Sequence, residues 1–232
     1  MNDDLRKRYQ ELKQQREREA VVDLMEIRAD HFTQTANLPK KYIGKTLDDF
    51  DLSDNDQRIR WQKAKAVDMC KDYLGNWRTN LRDGRGLVFT GKLGTGKTML
   101  LSIIVGFIAS RGRAARYATE NELVENWHAS FRDFDRGSGY LKKLQDYDLL
   151  VIDEIGVSTG DPEKVKNFLS GVIDKRYRGE KATLYGGNLD ITGIGEYLGT
   201  RVADRIIETT EWIDMSRWSS YRHRMRVQRH GD

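Results

Sequence analysis

The sequence has almost no cysteine and no long apolar run, and each shortage excludes a class of structure. Its 232 residues include one cysteine, Cys70, which excludes an intramolecular disulfide and a zinc site made of several cysteines. The longest apolar run, residues 99–109, is too short to span a bilayer. The first residues are acidic and lack the apolar stretch of a signal peptide. We therefore expect a cytoplasmic protein that does not associate with membranes.

Charged residues are abundant but almost balanced. The chain has 40 Lys and Arg residues against 36 Asp and Glu, for a net charge of +4, and hydrophobic residues still make up 38%. That apolar content is enough for a buried core, and the length fits one domain with an appendage. The charges are unevenly placed, because residues 215–230 contain five arginines and no acid. This basic tail is either a solvated surface or a contact for nucleic acid.

Residues 1–45 are predicted to form a helical N-terminal arm. Residues 3–30 contain no Gly or Pro, and Leu5, Tyr9 and Leu12 form an apolar stripe with helical spacing. Pro39 and Gly44 then break the pattern. Two interpretations of the arm stay open, a solvated or self-paired helix and a helix that docks onto a partner protein.

The remaining residues, 46–232, alternate between predicted helices and predicted strands. This alternation predicts an α/β fold with a parallel sheet flanked by helices. The predicted helices cover residues 54–77, 99–110, 120–131, 164–178 and 194–208. The predicted strands cover residues 87–90, 115–119, 149–152 and 182–185.

The segment from Gly91 to Thr98 fits the Walker A phosphate-loop pattern G-x-x-x-x-G-K-S/T. It lies directly after a predicted strand and directly before an apolar helix, so backbone N–H groups and the helix N-terminus can face phosphates. Lys97 can reach the β- and γ-phosphates of ATP, and Thr98 can place its hydroxyl on Mg²⁺. The predicted nucleotide-binding residues are Gly91, Lys92, Leu93, Gly94, Thr95, Gly96, Lys97, Thr98 and Met99.

Two carboxylates, Asp153 and Glu154, end the strongly apolar strand at 149–152. Because successive strand residues point to opposite faces, the two side chains are predicted to have different roles. Asp153 is the candidate for holding Mg²⁺ with Thr98, and Glu154 is the candidate for activating a water molecule. This pair favours an ATPase over a small-molecule kinase.

The ordered set of motifs resembles the DnaC-type replicative-helicase loaders. These proteins are AAA+ ATPases and are close to the IstB-type transposition helpers. The resemblance covers roughly residues 46–226 and rests on the phosphate loop, residues 149–156, the Leu-Gly-Thr-Arg-Val-Ala-Asp-Arg segment at 198–205 and Ser-Tyr-Arg at 220–222. It implies an AAA+ P-loop domain at 46–232.

The resemblance also implies roles for residues in the second half of the chain. Asn188 matches the sensor asparagine that positions the attacking water, although this chain has Gly186-Gly187 where family members usually carry hydroxyl or amide residues. Arg205 matches the arginine finger, which acts on the nucleotide of a neighbouring subunit and so implies an oligomer. Arg222 matches the second sensor. By spacing alone, Arg201 and Arg205 form an ordinary solvated helix face.

Residues 127–140 align, by the same resemblance, with an additional helix that faces single-stranded DNA in initiator and loader ATPases. Phe131 and Arg132 are the candidate contacts, since aromatic rings stack on bases and guanidinium groups bind phosphates. A Trp127–Phe131 pair buried on a helix is an equally good interpretation of the same residues.

The function that the resemblance implies is ATP-dependent loading of a hexameric replicative DNA helicase onto single-stranded DNA, with the arm gripping the helicase. Three alternatives stay open. The chain could be an ATPase helper of a transposase or a nucleotide-bound module without turnover. The third alternative, a nucleotide kinase, is disfavoured because Glu154 stands where it can activate water.

Overall fold

A computed structural model describes residues 26–131, 137–158 and 160–221. The elements follow one another in the order α1 (26–35), α2 (Gln57–Gly75), α3 (Trp77–Arg82), β1 (Gly86–Thr90), α4 (Lys97–Ala109), β2 (Ala115–Thr119), α5 (Glu120–Ser130), α6 (Gly137–Asp146), β3 (Leu149–Ile155), α7 (Pro162–Arg178), β4 (Ala182–Gly187), α8 (Ile191–Leu198), α9 (Thr200–Thr209) and β5 (Thr210–Asp214). Two short 3₁₀ helices, Lys40–Tyr42 and Leu47–Asp49, precede α2.

The five strands form one parallel sheet in the order β2-β3-β4-β1-β5. Thr119 at the end of β2 lies opposite Asp153 of β3, and Thr90 at the end of β1 lies opposite Gly187 of β4. The carboxyl ends of all strands therefore lie at one edge of the sheet. In open parallel sheets this edge is where ligands bind.

Both faces of the sheet are covered by helices. Leu87 and Phe89 of β1 contact an apolar cluster that includes α2 and α4, whereas Val88 contacts a second cluster that includes α5 and α7. Strands buried on both faces are continuously apolar, which is what the sequence of β3 displays. The predicted α/β fold with a parallel sheet flanked by helices is confirmed.

The segment before α2 packs against the sheet domain. Ala36 is fully buried, its carbonyl accepts a hydrogen bond of 2.9 Å from the Tyr117 N–H, and Asn37 Nδ2 donates to the Tyr117 carbonyl at 3.1 Å. Most of the expected arm, residues 1–25, lies outside the described residues, so the division at residue 45 stays a prediction. None of the helices in the described ranges has the length and apolar character needed to cross a membrane.

Several element boundaries differ from the prediction. The single helix expected over residues 194–208 was wrong, because Gly199 has φ +96° and separates α8 from α9. Helix α2 begins three residues later than expected, after Asp56, whose carboxylate accepts a hydrogen bond from the Arg58 N–H. The elements α3, α6 and β5 had no counterpart in the prediction. Helix α6 begins with Gly-Ser-Gly and β5 is a short edge strand, so neither carries a strong local pattern.

A buried arginine, Arg176 of α7, joins α6, α7 and β4. It is 1% exposed, and its guanidinium donates hydrogen bonds to Thr183 Oγ1 (2.9 Å) and to the carbonyls of Leu144 (2.7 Å), Tyr147 (3.0 Å) and Ala182 (2.6 Å). Burial lowers the pKa of Arg176 to about 10. The side chain is held by these acceptors rather than by a carboxylate, so removing it leaves buried carbonyls without a donor.

We expect Arg176→Met to lower the free energy of unfolding by about 3 kcal/mol or more, because buried carbonyls left unpaired are costly. Urea denaturation followed by circular dichroism measures the change. Arg58→Met, at an exposed position of α2, is the matched control and should change stability by about 0.5 kcal/mol at most. Equal effects of the two substitutions would contradict this account of Arg176.

Candidate functional site

The phosphate loop lies between β1 and α4, as the motif predicts. Gly91, Gly94 and Gly96 have φ values of +137°, +80° and +105°, which L side chains rarely adopt. At Gly96 a Cβ atom would also lie 2.5 Å from the Phe50 ring. The glycines therefore allow both the turn of the loop and the close approach of Phe50. Helix α4 begins directly after the loop, so its amino end and the favourable end of its dipole lie beside the loop.

The side chain of Lys97 folds back over the loop. Its Nζ atom donates to the carbonyls of Gly91 at 2.5 Å and Lys92 at 2.8 Å, and to Asn188 Oδ1 at 3.2 Å. Lys97 is buried, whereas Asn188 is exposed and follows β4. The structure thus brings together the phosphate-loop lysine and the asparagine that the family resemblance singled out.

Asp153 is buried at the carboxyl end of β3 and faces the loop. Its Oδ2 atom accepts hydrogen bonds from Thr98 Oγ1 and Tyr117 Oη, both at 2.8 Å, and its Oδ1 atom accepts one from the Glu154 N–H at 2.9 Å. The first of these contacts joins the two residues that the sequence assigns to Mg²⁺. Tyr117 was not identified from the sequence, because it lies inside a strand pattern with no motif around it.

Glu154 projects differently from its neighbour. It is exposed, and its φ of +59° is unusual for a residue other than glycine. The register between β3 and β4 shifts between Ile152 and Ile155, so an irregularity lies at Glu154 itself. Such backbone outliers concentrate at functional sites. Asp153 and Glu154 therefore occupy different environments, as the alternation of strand residues predicts.

The loop after Glu154 is held by a second buried carboxylate, Glu120, which begins α5. Its oxygens accept hydrogen bonds from the Gly156 N–H (2.7 Å), the Ser158 N–H (3.2 Å) and Tyr197 Oη of α8 (2.5 Å). Burial and the hydrogen bond to Glu120 raise the pKa of the Tyr197 hydroxyl. Sequence reasoning missed Glu120, since an acid in the first turn of a helix is common for dipole reasons alone.

The functional residues line a cavity of about 480 Å³. The predicted residues that line it are Leu93, Gly94, Thr95, Gly96, Lys97, Thr98, Met99, Asp153, Glu154 and Asn188. Other walls come from residues that the sequence did not indicate: Lys41, Tyr42, Lys45, Asp49, Phe50 and Asp51 before α2, Lys63 in α2, and Ser219 and Tyr221 after β5. The segment expected to separate two domains thus forms part of the cavity wall.

A buried ion pair holds these outer walls in place. Lys63 Nζ lies 3.1 Å from Asp54 Oδ2 and donates to the Ser53 carbonyl at 2.6 Å, and Ser219 Oγ donates to Asp54 Oδ2. Burial raises the pKa of Asp54, but the hydrogen bonds from Ser219 and Lys63 outweigh it and lower the pKa to about 2. Asp54 therefore stays ionised at neutral pH and ties the segment before α2 to the end of the described chain.

The cavity fits a nucleoside triphosphate with Mg²⁺. The positive-φ glycines, the helix N-terminus and Lys97 offer donors and charge for phosphates. In the described ranges, no group of three or more His, Cys, Asp or Glu side chains could hold a metal ion without other ligands. Mg²⁺ at Thr98 and Asp153 would take its remaining ligands from phosphate oxygens and water, which is how proteins usually hold it beside a nucleotide.

Arg205 lies on α9 and does not line the cavity. It forms an ion pair with Asp174 of α7, and its guanidinium lies 4.9 Å from the centre of the Tyr177 ring. Arg178 also pairs with Asp174, and Arg201 lies 4.0 Å from the same carboxylate. Asp174 is therefore shared among three arginines on one surface, away from the nucleotide site of its own subunit.

The candidate DNA contacts are only partly covered by the structure. Phe131 is 60% exposed at the end of α5, with its ring 5.3 Å from that of Trp127. Trp127 itself is partly buried and stacks on Phe168 at 4.6 Å, so it belongs to the apolar packing. Arg132 and Arg222 lie outside the described residues, and their roles stay predictions.

Curated proteins of similar sequence carry the name replicative helicase loader DnaC. The chain is 30% identical over 164 residues to that protein from Buchnera aphidicola subsp. Baizongia pistaciae and 29% identical over 165 residues to that from Escherichia coli K12. The matches cover 69% and 70% of this chain, respectively, and 65% of each relative. The chain therefore spans slightly less than two thirds of the length of these relatives.

The fold is shared with a solved helicase loader, and the sequence matches one family over most of its length. The crystal structure of the DnaC helicase loader superposes with a TM-score of 0.65 at 22% identity, covering 76% of this chain and 99% of that one. The family model described as IstB-like ATP binding protein matches residues 16–229. The chain therefore belongs to the family of IstB-like ATP-binding proteins.

Proposed function

We propose that this chain is an ATP-dependent helicase loader, an ATPase that binds a hexameric replicative DNA helicase and helps to place it on single-stranded DNA. The observation that carries the proposal is one cavity that joins Lys97, Thr98, Asp153, Glu154 and Asn188 in a chain similar to proteins named as DnaC loaders. The site supports ATP hydrolysis, and the similarity supports the choice of partner.

Each of these five residues has a part in hydrolysis. Lys97 turns from the loop carbonyls to the β- and γ-phosphates, while loop N–H groups bind the remaining oxygens. Thr98 and Asp153 would hold Mg²⁺, which would neutralise charge on the phosphates. Glu154 accepts a proton from the attacking water, and Asn188 orients that water. The Tyr221 N–H donates to the Gly94 carbonyl at 2.9 Å. Arg222, the next residue, contacts the nucleotide of the same subunit.

Hydrolysis depends on a neighbouring subunit. Arg205 leaves Asp174 and reaches the γ-phosphate bound by the adjacent copy, where a guanidinium stabilises charge that builds during phosphoryl transfer. The ion pair with Asp174 and the Tyr177 ring keep Arg205 ordered on the surface before assembly. The chain therefore acts as an oligomer, and DNA or self-association stimulates its ATPase activity.

The macromolecular contacts lie outside the nucleotide cavity. Residues 1–45 bind the helicase, with α1 fixed to the sheet domain through residues that include Ala36. Phe131 offers an exposed ring for stacking on bases, and Arg132 with the basic tail offers charge for phosphates. A second candidate, an ATPase helper of a DNA transposase, is favoured by the description of the matching family as IstB-like.

The choice of partner is tested by co-purification of the full chain with the replicative helicase of its host. We expect a stable complex that is lost when residues 1–25 are deleted, a truncation that leaves Ala36 in its packed position. Retention of a transposase by the full chain, without retention of the helicase, would refute the loader proposal in favour of the transposase helper.

We expect Glu154→Gln to lower ATP turnover by about 100-fold or more while ATP binding is retained, because the general base is lost and the phosphate loop is intact. Lys97→Ala should instead weaken ATP binding by about tenfold or more, because a charged phosphate contact is lost. Equilibrium ATP binding and phosphate release separate the two effects. Glu163→Gln, at an exposed carboxylate of α7, is the control and should leave both unchanged. Unchanged ATP binding in Lys97→Ala would refute the phosphate-loop assignment.

We expect Arg205→Ala to bind ATP normally but to lose assembly-dependent hydrolysis by about 1,000-fold, the scale reported for an arginine finger. The measurement is turnover per subunit as a function of protein concentration. Arg178→Ala, which removes another partner of Asp174, is the matched control and should keep the stimulation. Wild-type stimulation in Arg205→Ala would contradict the role of Arg205 in the neighbouring site.

A further inference from the structure

The Tyr117 side chain extends along the sheet towards the nucleotide site. Tyr117 of β2 pairs with Val151 of β3, and Asp153 lies two residues further along β3. Residues two apart on a strand share a face, so Val151 and Asp153 lie on the face that Tyr117 covers. The ring is 4% exposed, and its hydroxyl lies 2.8 Å from Asp153 Oδ2. The hydroxyl therefore ends at the carboxylate that is the candidate for holding Mg²⁺.

Two hydroxyl groups meet at the same oxygen of Asp153. Thr98 Oγ1 and Tyr117 Oη both donate to Oδ2 at 2.8 Å, while Oδ1 is occupied by the Glu154 N–H. Thr98 is itself the second candidate ligand for Mg²⁺, and its hydroxyl can bind the ion through an oxygen lone pair while its hydrogen stays on the carboxylate. Tyr117 is the hydroxyl donor at Asp153 that is not itself a candidate metal ligand.

The opposite side of Asp153 faces a glycine. A Cβ atom at Gly186 of β4 would lie 2.1 Å from Asp153 Oδ1 and 2.7 Å from Leu101 Cδ1. Strand β4 therefore leaves space for the carboxylate and contributes no side chain at this position to orient it. The orientation of Asp153 depends on the space at Gly186 and on the hydroxyl that β2 supplies.

We propose that Tyr117 is a positioning residue for the Mg²⁺-binding carboxylate of Asp153, with Gly186 providing the space that this orientation requires. The inference rests on the proposed ATPase function and adds a residue to it. Tyr117 does not line the cavity, and it acts by fixing which oxygen of Asp153 faces the ion. Hydrogen-bonding partners of metal ligands typically contribute about 10- to 100-fold to metal affinity.

Tyr117→Phe tests the proposal because it removes the hydroxyl and keeps the buried ring. The measurement is the affinity of the full chain for a fluorescent ATP analogue, titrated with MgCl₂ and repeated in excess EDTA. We expect the Mg²⁺ concentration that gives half of the Mg²⁺-dependent change in analogue affinity to rise about tenfold. The affinity for the analogue in EDTA should stay at the wild-type value. Tyr73→Phe is the matched control, because the Tyr73 hydroxyl donates to the Arg85 carbonyl at the far end of β1, and it should leave the titration unchanged.

Gly186→Ala approaches the same carboxylate from the other side, and it should raise the Mg²⁺ requirement without removing a hydroxyl. If circular dichroism shows that Tyr117→Phe is unfolded, the Mg²⁺ titration of Gly186→Ala tests whether the orientation of Asp153 sets the Mg²⁺ requirement. A wild-type Mg²⁺ titration in folded Tyr117→Phe would overturn the role of Tyr117 and leave the proposed function intact. An equal loss of affinity in EDTA would also overturn it, since the hydroxyl would then support the whole cavity. Failure of the wild-type chain to bind ATP would refute the proposed function itself.

Discussion

The hydrogen bond of 2.8 Å between Thr98 Oγ1 and Asp153 Oδ2 joins the phosphate loop to β3, and the rest of the nucleotide site is arranged around it. The loop that precedes Thr98 follows β1, and Asp153 lies in β3. Because β4 separates these two strands, the contact exists only because the strands are parallel and end at one edge. Gly186 of β4 leaves the space through which the carboxylate reaches the loop. The parallel register is therefore the constraint on which the chemistry depends.

A second set of contacts closes the cavity from outside the sheet. Phe50 packs against Gly96 of the loop, and the Phe50 and Trp218 rings meet edge to face at 6.3 Å. The buried Asp54–Lys63 pair lies in the same segment, and removal of either partner would leave an uncompensated buried charge. The chain before α2 and the chain after β5 thus both form walls of the cavity. A nucleotide bound between them would contact both segments at once, which gives a physical route from ATP binding to the N-terminal region.

The sequence predicted those parts of the site that depend on consecutive residues. The glycines and Lys97 of the phosphate loop form one local motif, and Asp153 ends an apolar strand, so the local sequence is enough to identify both. Glu120 and the Asp54–Ser219 contact were not predictable, because they pair residues that are distant in the chain and carry no local signal. The break at Gly199 was missed because apolar residues on both sides keep a helical spacing through it.

In the proposed function, ATP held in this cavity allows the chain to deliver a helicase to DNA. The most direct measurement is the amount of hexameric replicative helicase that remains bound to closed circular single-stranded DNA, with and without the full chain and ATP. We expect retention to rise when both are present, and we expect this rise to require the intact N-terminal region. Unchanged retention of the helicase, together with ATP-dependent assembly of the chain on duplex DNA, would contradict the account.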